Sequence, residues 1–179
     1  MNNIFLTGEV CIGKTTLLNK VLNLLKIKLN KDLSLGGFYY FRTVNKENSK
    51  VTKKFYIVSR INGQRYKILE DVFIDNVNNV TTYKENFNTY SKELLENFNS
   101  CDLIALDEIG FAEANASDFV SNLNYVLDSN KIVFGIIKKY DCDFLDIIKS
   151  RDDVLIIDVT TKNRNQLEDN ICQLIFNMF

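Results

Sequence analysis

Two rhythms of apolar positions alternate along this chain. Continuous apolar runs at Ile4-Phe5-Leu6, Leu103 to Leu106, Ile132 to Ile137 and Val154 to Val159 predict strands, the last two buried on both faces of a sheet. Between them, apolar positions recur at helical spacing. One set is Leu17, Leu18, Val21, Leu22, Leu25 and Leu29; a second is Phe87, Tyr90, Leu94 and Phe98. A third is Phe119, Val120, Leu123 and Val126, and a fourth is Leu167, Ile171, Leu174, Ile175 and Met178. A short helix is expected from Phe144 to Lys149. Strand alternating with helix predicts an α/β domain in three layers, a mostly parallel sheet with helices on both faces.

One stretch breaks the alternation. Gly37 to Phe41, Lys54 to Ser59 and Arg65 to Leu69 read as strands in succession, and the Asn62-Gly63 pair between the last two favours a hairpin turn. An antiparallel excursion is therefore expected after the first helix. The Asn-rich stretch Asp71 to Thr82 reads as a surface connection, with a mobile loop over a site as the alternative. No linker or repeat divides the chain, so residues 1–179 are expected to form a single domain with a substantial core.

The first strand leads into Gly8-Glu9-Val10-Cys11-Ile12-Gly13-Lys14-Thr15-Thr16, which matches G-x-x-x-x-G-K-[ST]. The strand aims the loop, its glycines let main-chain N–H groups curl around phosphate oxygens, and the following helix contributes the partial positive charge of its N-terminus. Lys14 is placed to reach β- and γ-phosphates, and the Thr15 hydroxyl to ligate Mg²⁺. The run from Cys101 to Leu106 ends in Asp107-Glu108, a Walker B pattern at a strand's C-terminal tip, where nucleotide sites of open α/β sheets form. Asp107 is expected to hold Mg²⁺ opposite Thr15, and Glu108 to orient or deprotonate the attacking water.

Composition narrows the chemistry. There is no His, so any general base is a carboxylate, which again points to Glu108. A net charge of −1 gives no electrostatic case for nucleic acid or anionic membrane as partner. No apolar stretch approaches the ~18 residues of a membrane span, and the first strand begins too early for a signal peptide. The four cysteines have no zinc-type spacing and read as free thiols, and the expected location is cytoplasmic. Cys11 stands inside the loop, either as a passive small residue or, less simply, as a redox switch.

Four strings together resemble one family: Gly8 to Thr16; Gly37-Phe38-Tyr39; Leu106-Asp107-Glu108-Ile109-Gly110 followed by Glu113; and Arg151 to Val154 running through Val159-Thr160-Thr161-Lys162-Asn163-Arg164-Asn165. The chain is similar, from Ile4 to about Ile171, to the small P-loop nucleoside-triphosphatases of the thermophile or cancer-related type. That resemblance implies a three-layer P-loop NTPase fold and a monomer. It also implies Mg²⁺-dependent hydrolysis of ATP, GTP and other nucleoside triphosphates, with Asn163 and Arg164 near the nucleotide. Three positions depart from the family pattern. Cys11 replaces a usual glycine, Phe111-Ala112 replaces Lys-Met before Glu113, and Tyr40-Phe41-Arg42-Thr43 replaces an acidic stretch. A role for the missing lysine must be lost or supplied elsewhere; Arg42 either points toward substrate or is a solvated strand residue.

Other functions share this phosphate site. A nucleotide or small-molecule kinase is the main alternative, but it needs a water-excluding lid, usually rich in arginine. Beyond the Asp107-Glu108 strand the chain has only Arg151 and Arg164. A nucleotide-gated binding protein is a third reading, for which no partner class is legible. With no separate arginine finger, hydrolysis is expected to be slow, and Arg164 serves either the developing charge or the base and ribose.

Overall fold

The computed structural model describes residues 1–44, 51–57, 71–76, 79–82, 85, 87–89, 91–92 and 98–179. Eight strands are described: β1 (Asn3–Thr7), β2 (Leu35–Val44), β3 (Val51–Ile57), β4 (Asp71–Asn76), β5 (Asn79–Thr82), β6 (Leu103–Ile109), β7 (Ile132–Ile137) and β8 (Val154–Asp158). The helices are α1 (Lys14–Leu29), α2 (Ser117–Leu127), α3 (Asp143–Lys149) and α4 (Leu167–Phe176). Residues 85, 87–89, 91–92 and 98, within the second helical spacing, are helical as well.

All eight strands join one sheet in the order β5-β4-β3-β2-β6-β7-β1-β8. From β2 to β8 the five strands are parallel, and β3, β4 and β5 extend the β2 side antiparallel. The alternation of side chains along each parallel strand sorts the core into two layers. Ile4, Leu6, Leu103, Ala105, Phe134 and Ile136 meet Leu18, Val21, Leu25 of α1 and Ile171, Ile175 of α4. Phe5, Ile104, Leu106, Val133 and Ile137 face the other way, onto Phe119 and Leu123 of α2, Leu145 and Ile148 of α3, and Phe87. The three-layer arrangement expected from the apolar rhythms is the one observed.

Two expectations need correction. The Asn-rich stretch is not a plain surface connection: Asp71–Asn76 and Asn79–Thr82 are paired strands, with Asn76 opposite Asn79. Val72, Ile74, Val80, Thr81 and Thr82 supply the β-branched residues that suit a pleated surface, a signal masked by the asparagines beside them. Val154 to Ile157 are only half-buried, because β8 is the end strand of the sheet. Its two faces are packed, Val154 and Ile156 on one layer and Leu155 and Ile157 on the other, yet among the described residues one side has no neighbouring strand. The Asn62-Gly63 turn and the strand expected over 65–69 lie outside the described residues.

The N-terminal ends of the strands are tied down by polar contacts. Asn3, fully buried, donates to the carbonyl of Leu127 and to Asp153, each at 3.0 Å. Arg151 holds the Asp153 carboxylate through two 2.8 Å hydrogen bonds and keeps its pKa below the ordinary carboxylate value.

Gly37 decides whether β2 can lie against β6 at all. Its φ is +110°, and a Cβ there would stand 1.9 Å from the carbonyl oxygen of Ala105, its partner in the parallel register. Gly37→Ala is therefore expected to destabilise the protein by on the order of 3 kcal/mol or more, combining backbone strain with a main-chain clash. Urea unfolding checks this; a midpoint unchanged from wild type would contradict the close approach.

Candidate active site

The C-terminal tips of β1, β6, β7 and β8 converge on one edge of the sheet. At the tip of β1, Gly8 has φ +137°, and a Cβ there would come 2.4 Å from the carbonyl oxygen of Val159. The missing side chain lets the end of β1 close against the end of β8, where Val159 N donates to Thr7 O at 2.8 Å. The loop then curls back through Cys11, in left-handed geometry at φ 62°, to Gly13 at φ 104°.

Gly13 is the N-cap of α1 and has no side chain with which to cap it. The first turns of α2, α3 and α4 each contain acidic residues; that of α1 contains none and begins with Lys14. Its free N–H groups and partial positive charge are thus open to an anionic ligand. Lys14 spans the loop, its ammonium donating to the carbonyls of Gly8 at 2.8 Å and Glu9 at 2.7 Å. Burial lowers its pKa from the ordinary lysine value, and the carboxylates of Glu108, Glu9 and Asp107 partly offset that.

Across the cleft, the Thr15 hydroxyl donates to Asp107 Oδ1 at 3.2 Å. Asp107 is buried at the end of β6. Glu108 follows in left-handed geometry, φ 62°, where the pairing of β6 with β7 slips between Leu106 and Ile109. Such a conformation in a non-glycine residue is a local strain, and here it turns the side chain of a strand-end residue into the cleft. The distortion is held from behind. Glu113, 2% exposed, accepts from Gly110 N at 2.9 Å, and Lys138 N donates to Ile109 O at 2.8 Å.

The resulting cleft, about 280 Å³, is lined by Val10, Cys11, Gly13, Lys14, Thr15, Thr16, Glu108 and Ile136. A larger groove of about 540 Å³, lined by Leu24, Ile27, Lys28, Asp169, Asn170, Cys172 and Gln173, lies on the α1–α4 flank, away from the strand tips. The smaller cleft is the one lined by the phosphate-loop residues and Glu108.

Most of the residues singled out from sequence meet here. Glu9 and Val10 are exposed on the loop, and Ile12 N closes its turn on Glu9 O at 3.3 Å. Arg164 arrives from beyond β8 and donates to the carbonyl of Ile12 at 3.3 Å. Asn163, one residue before Arg164, is bonded to the main chain. Its amide oxygen accepts from Thr160 N and its amide nitrogen donates to Asp158 O, both at 2.8 Å, so it shapes the turn that presents Arg164. Sequence reasoning gave no role to Glu113 and did not pick out Lys138, whose N–H holds Ile109, or Lys139, whose ammonium stands 3.4 Å from the Glu9 carboxylate. The usable signal was their position: two lysines directly after a buried strand that ends at the same edge as Asp107.

A family model described as NTPase matches residues 3–172. The chain belongs to this nucleoside-triphosphatase family. It is 31% identical to nucleoside-triphosphatase THEP1 of Thermotoga maritima over 176 residues, covering 96% of this chain and 94% of that protein. It is 26% identical to the cancer-related nucleoside-triphosphatase homolog of Mus musculus over 186 residues, covering 97% and 96%. The crystal structure of THEP1 from Aquifex aeolicus has the same fold, with a TM-score of 0.71 at 22% identity over 98% of this chain and 99% of that one.

Cys11 tests the geometry of the loop in this member of the family. Its side chain is exposed beside Lys14, so saturating Mg²⁺–triphosphate is expected to slow its labelling by a thiol reagent at least tenfold. Cys11→Gly should leave the enzyme active and insensitive to the reagent, and should stabilise it by up to ~1 kcal/mol by releasing left-handed strain. Labelling at one rate with and without nucleotide would mean the loop does not wrap phosphate.

Proposed function

We propose that this chain, acting as a single cytoplasmic domain, hydrolyses nucleoside 5′-triphosphates to the diphosphate and phosphate, slowly, with Mg²⁺ and with little preference among bases. The observation that carries this reading is the meeting of Thr15 and Asp107 at 3.2 Å, across a cleft into which Glu108 is turned and Lys14 reaches. Both Thr15 Oγ1 and Asp107 Oδ1 are hard oxygen donors. Their separation is close to the ~2.9 Å edge of an octahedron with ligand distances of ~2.05 Å, which suits Mg²⁺. Among the described residues no cluster of three or more His, Cys, Asp or Glu forms a metal cage, and Mg²⁺ characteristically binds through one or two protein ligands together with substrate phosphates. Held by Thr15 and Asp107, it would neutralise charge on the β- and γ-phosphates.

The chain's own residues account for the remaining steps. Main-chain N–H groups of the loop and of the first turn of α1 bind the phosphates, and Lys14 exchanges the carbonyls of Gly8 and Glu9 for phosphate oxygens. Glu108 orients a water and takes its proton as the oxygen attacks the γ-phosphorus. The bond to the β-phosphate oxygen breaks, and the diphosphate leaves. The backbone strain at Glu108 fixes the carboxylate before substrate arrives, so little reorganisation remains for the chemical step. Turnover of about 10⁻⁴–10⁻² s⁻¹ is expected for a phosphate-loop hydrolase without an arginine supplied by a partner. Four free cysteines suit a reducing compartment.

Phosphate release from ATP, GTP, CTP and UTP, with and without Mg²⁺, tests the reading. Lys14→Ala is expected to abolish most turnover and weaken triphosphate binding; near-full activity would remove the phosphate-loop assignment. Asp107→Asn should raise the Mg²⁺ requirement, whereas Glu108→Gln should keep nucleotide binding and lower kcat by about 10²–10⁴. Transfer of phosphate only in the presence of an added acceptor would instead make the protein a kinase.

Arg164→Ala separates two uses of that guanidinium. A uniform fall in kcat on all four triphosphates assigns it to charge stabilisation, and a change in KM that differs between bases assigns it to nucleotide contact. No effect on any substrate would leave it the structural tie to Ile12.

A further inference from the structure

The peptide unit that joins Ile109 to Gly110 is held at both of its polar ends. Its carbonyl oxygen accepts from Lys138 N at 2.8 Å, which ties it to the end of β7, and its N–H donates to Glu113 Oε2 at 2.9 Å. This unit begins one residue after Glu108, whose φ of 62° sits where the pairing of β6 with β7 slips. Gly110 is a glycine for a steric reason: a Cβ there would lie 2.6 Å from Lys138 Cδ and 3.1 Å from its Cε. The passage left for the lysine stem also leaves the chain free to turn beside a strained residue, because glycine restricts its own dihedrals least. A lock is needed there, and Glu113 is built as one. It is 2% exposed, and its own carbonyl accepts from the N–H of the fully buried Ala116 at 3.0 Å. Ala116 accepts in turn from Val120 N at 2.9 Å, at the start of α2. Asn88 fastens that helix end, its Oδ1 accepting from Asp118 N at 3.1 Å and Phe119 N at 3.3 Å.

We propose that Glu113 is a positioning residue for the hydrolysis: through Gly110 it keeps the Glu108 carboxylate at the place and angle from which it orients the attacking water. The inference rests on the role given to Glu108 above and deepens it, adding a group that does not itself meet substrate. Glu113 is not among the residues that line the cleft, and the path from it to Glu108 is the main chain of Gly110 and Ile109. A hydrogen bond from an N–H to a carboxylate is charge-assisted, and burial strengthens it relative to the same bond in water. Losing it frees a glycine next to a residue in left-handed geometry, and the strain stored at Glu108 then drives the relaxation. A displacement of about 1 Å at a reacting group is enough to cost ~10²-fold in rate. Nucleotide binding is insulated from this clamp, because the phosphate loop, Lys14 and Thr15 belong to β1 and α1, on the far side of β7.

The full-length protein is assayed with Mg²⁺–ATP and Mg²⁺–ADP, and hydrogen exchange at the Gly110 amide reads the clamp directly. Glu113→Asp keeps the charge and withdraws it by one methylene, whereas Glu113→Gln keeps the reach and an acceptor oxygen without the charge. The Asp variant is expected to speed Gly110 exchange by about tenfold or more and to lower kcat by about 10–100-fold, with ATP and ADP affinity within about twofold of wild type. Glu113→Gln should keep Gly110 protected and restore most of the rate. A cooperative thermal transition and retained ADP binding verify that the variants fold. Glu113→Met, of similar volume but with no acceptor oxygen, takes the place of Glu113→Asp if the shorter side chain unfolds the chain. A variant that frees the Gly110 amide at unchanged kcat, or that lowers kcat with that amide still protected, overturns the proposal. So does a parallel fall in ATP and ADP affinity at unchanged kcat. Absence of phosphate release from wild type, or a Glu108→Gln variant with unimpaired turnover, would overturn the reading of the site instead.

Discussion

The hydrogen bond between Thr15 and Asp107 is the contact on which the arrangement of the site depends. The two residues are 92 positions apart, and their parent strands are not neighbours. With β7 between them, β1 and β6 are separated by about two strand spacings, ~9.6 Å. The phosphate loop and first turn of α1 must lean across β7 to close that gap. Gly135 helps keep the strands close: a Cβ there would stand 2.6 Å from the carbonyl oxygen of Leu106, next to Asp107. The two apolar layers fix the sheet, the sheet fixes the tips, and the tips bring a hydroxyl to a carboxylate.

The chemistry was more legible in the sequence than the backbone that delivers it. Gly8, Gly13, Lys14, Thr15, Asp107 and Glu108 could be named because phosphate binding demands particular residue types at particular spacings. The parallel strands and flanking helices were legible because burial imposes a period. What stayed hidden was geometry that residue type does not encode. Nothing in the letters Asp-Glu-Ile-Gly says that Glu108 adopts a left-handed backbone, or that Glu113 holds the main chain of Gly110. The same string Gly-Phe-Tyr that marks the family gave no hint that Gly37 is required by a main-chain contact with Ala105.

Other misreadings have equally physical causes. Asparagine suggests turns, and its density from Asp71 to Thr82 outweighed the β-branched residues that place β4 and β5 in the sheet. A continuous apolar run signals two packed faces but does not reveal whether strands lie on both sides, which is why β8 could not be recognised as an edge. Asn163 is a different case: the resemblance puts it near nucleotide, and the structure adds that its amide is bonded to the main chain of Asp158 and Thr160. It acts on the loop through the turn that carries Arg164.

The resting position of Lys14 bears on how the empty enzyme endures. An ammonium lodged against the carbonyls of Gly8 and Glu9 fills the mouth of the phosphate loop with a positive charge that belongs to the protein. The loop is therefore braced from within between turnovers, and it need not collapse or borrow a stray ion to stay open. On the mechanism we propose, product departure and substrate arrival become an exchange of oxygen partners around one nitrogen. On that reading the site keeps its shape between substrates through the same residue that would grip the next one.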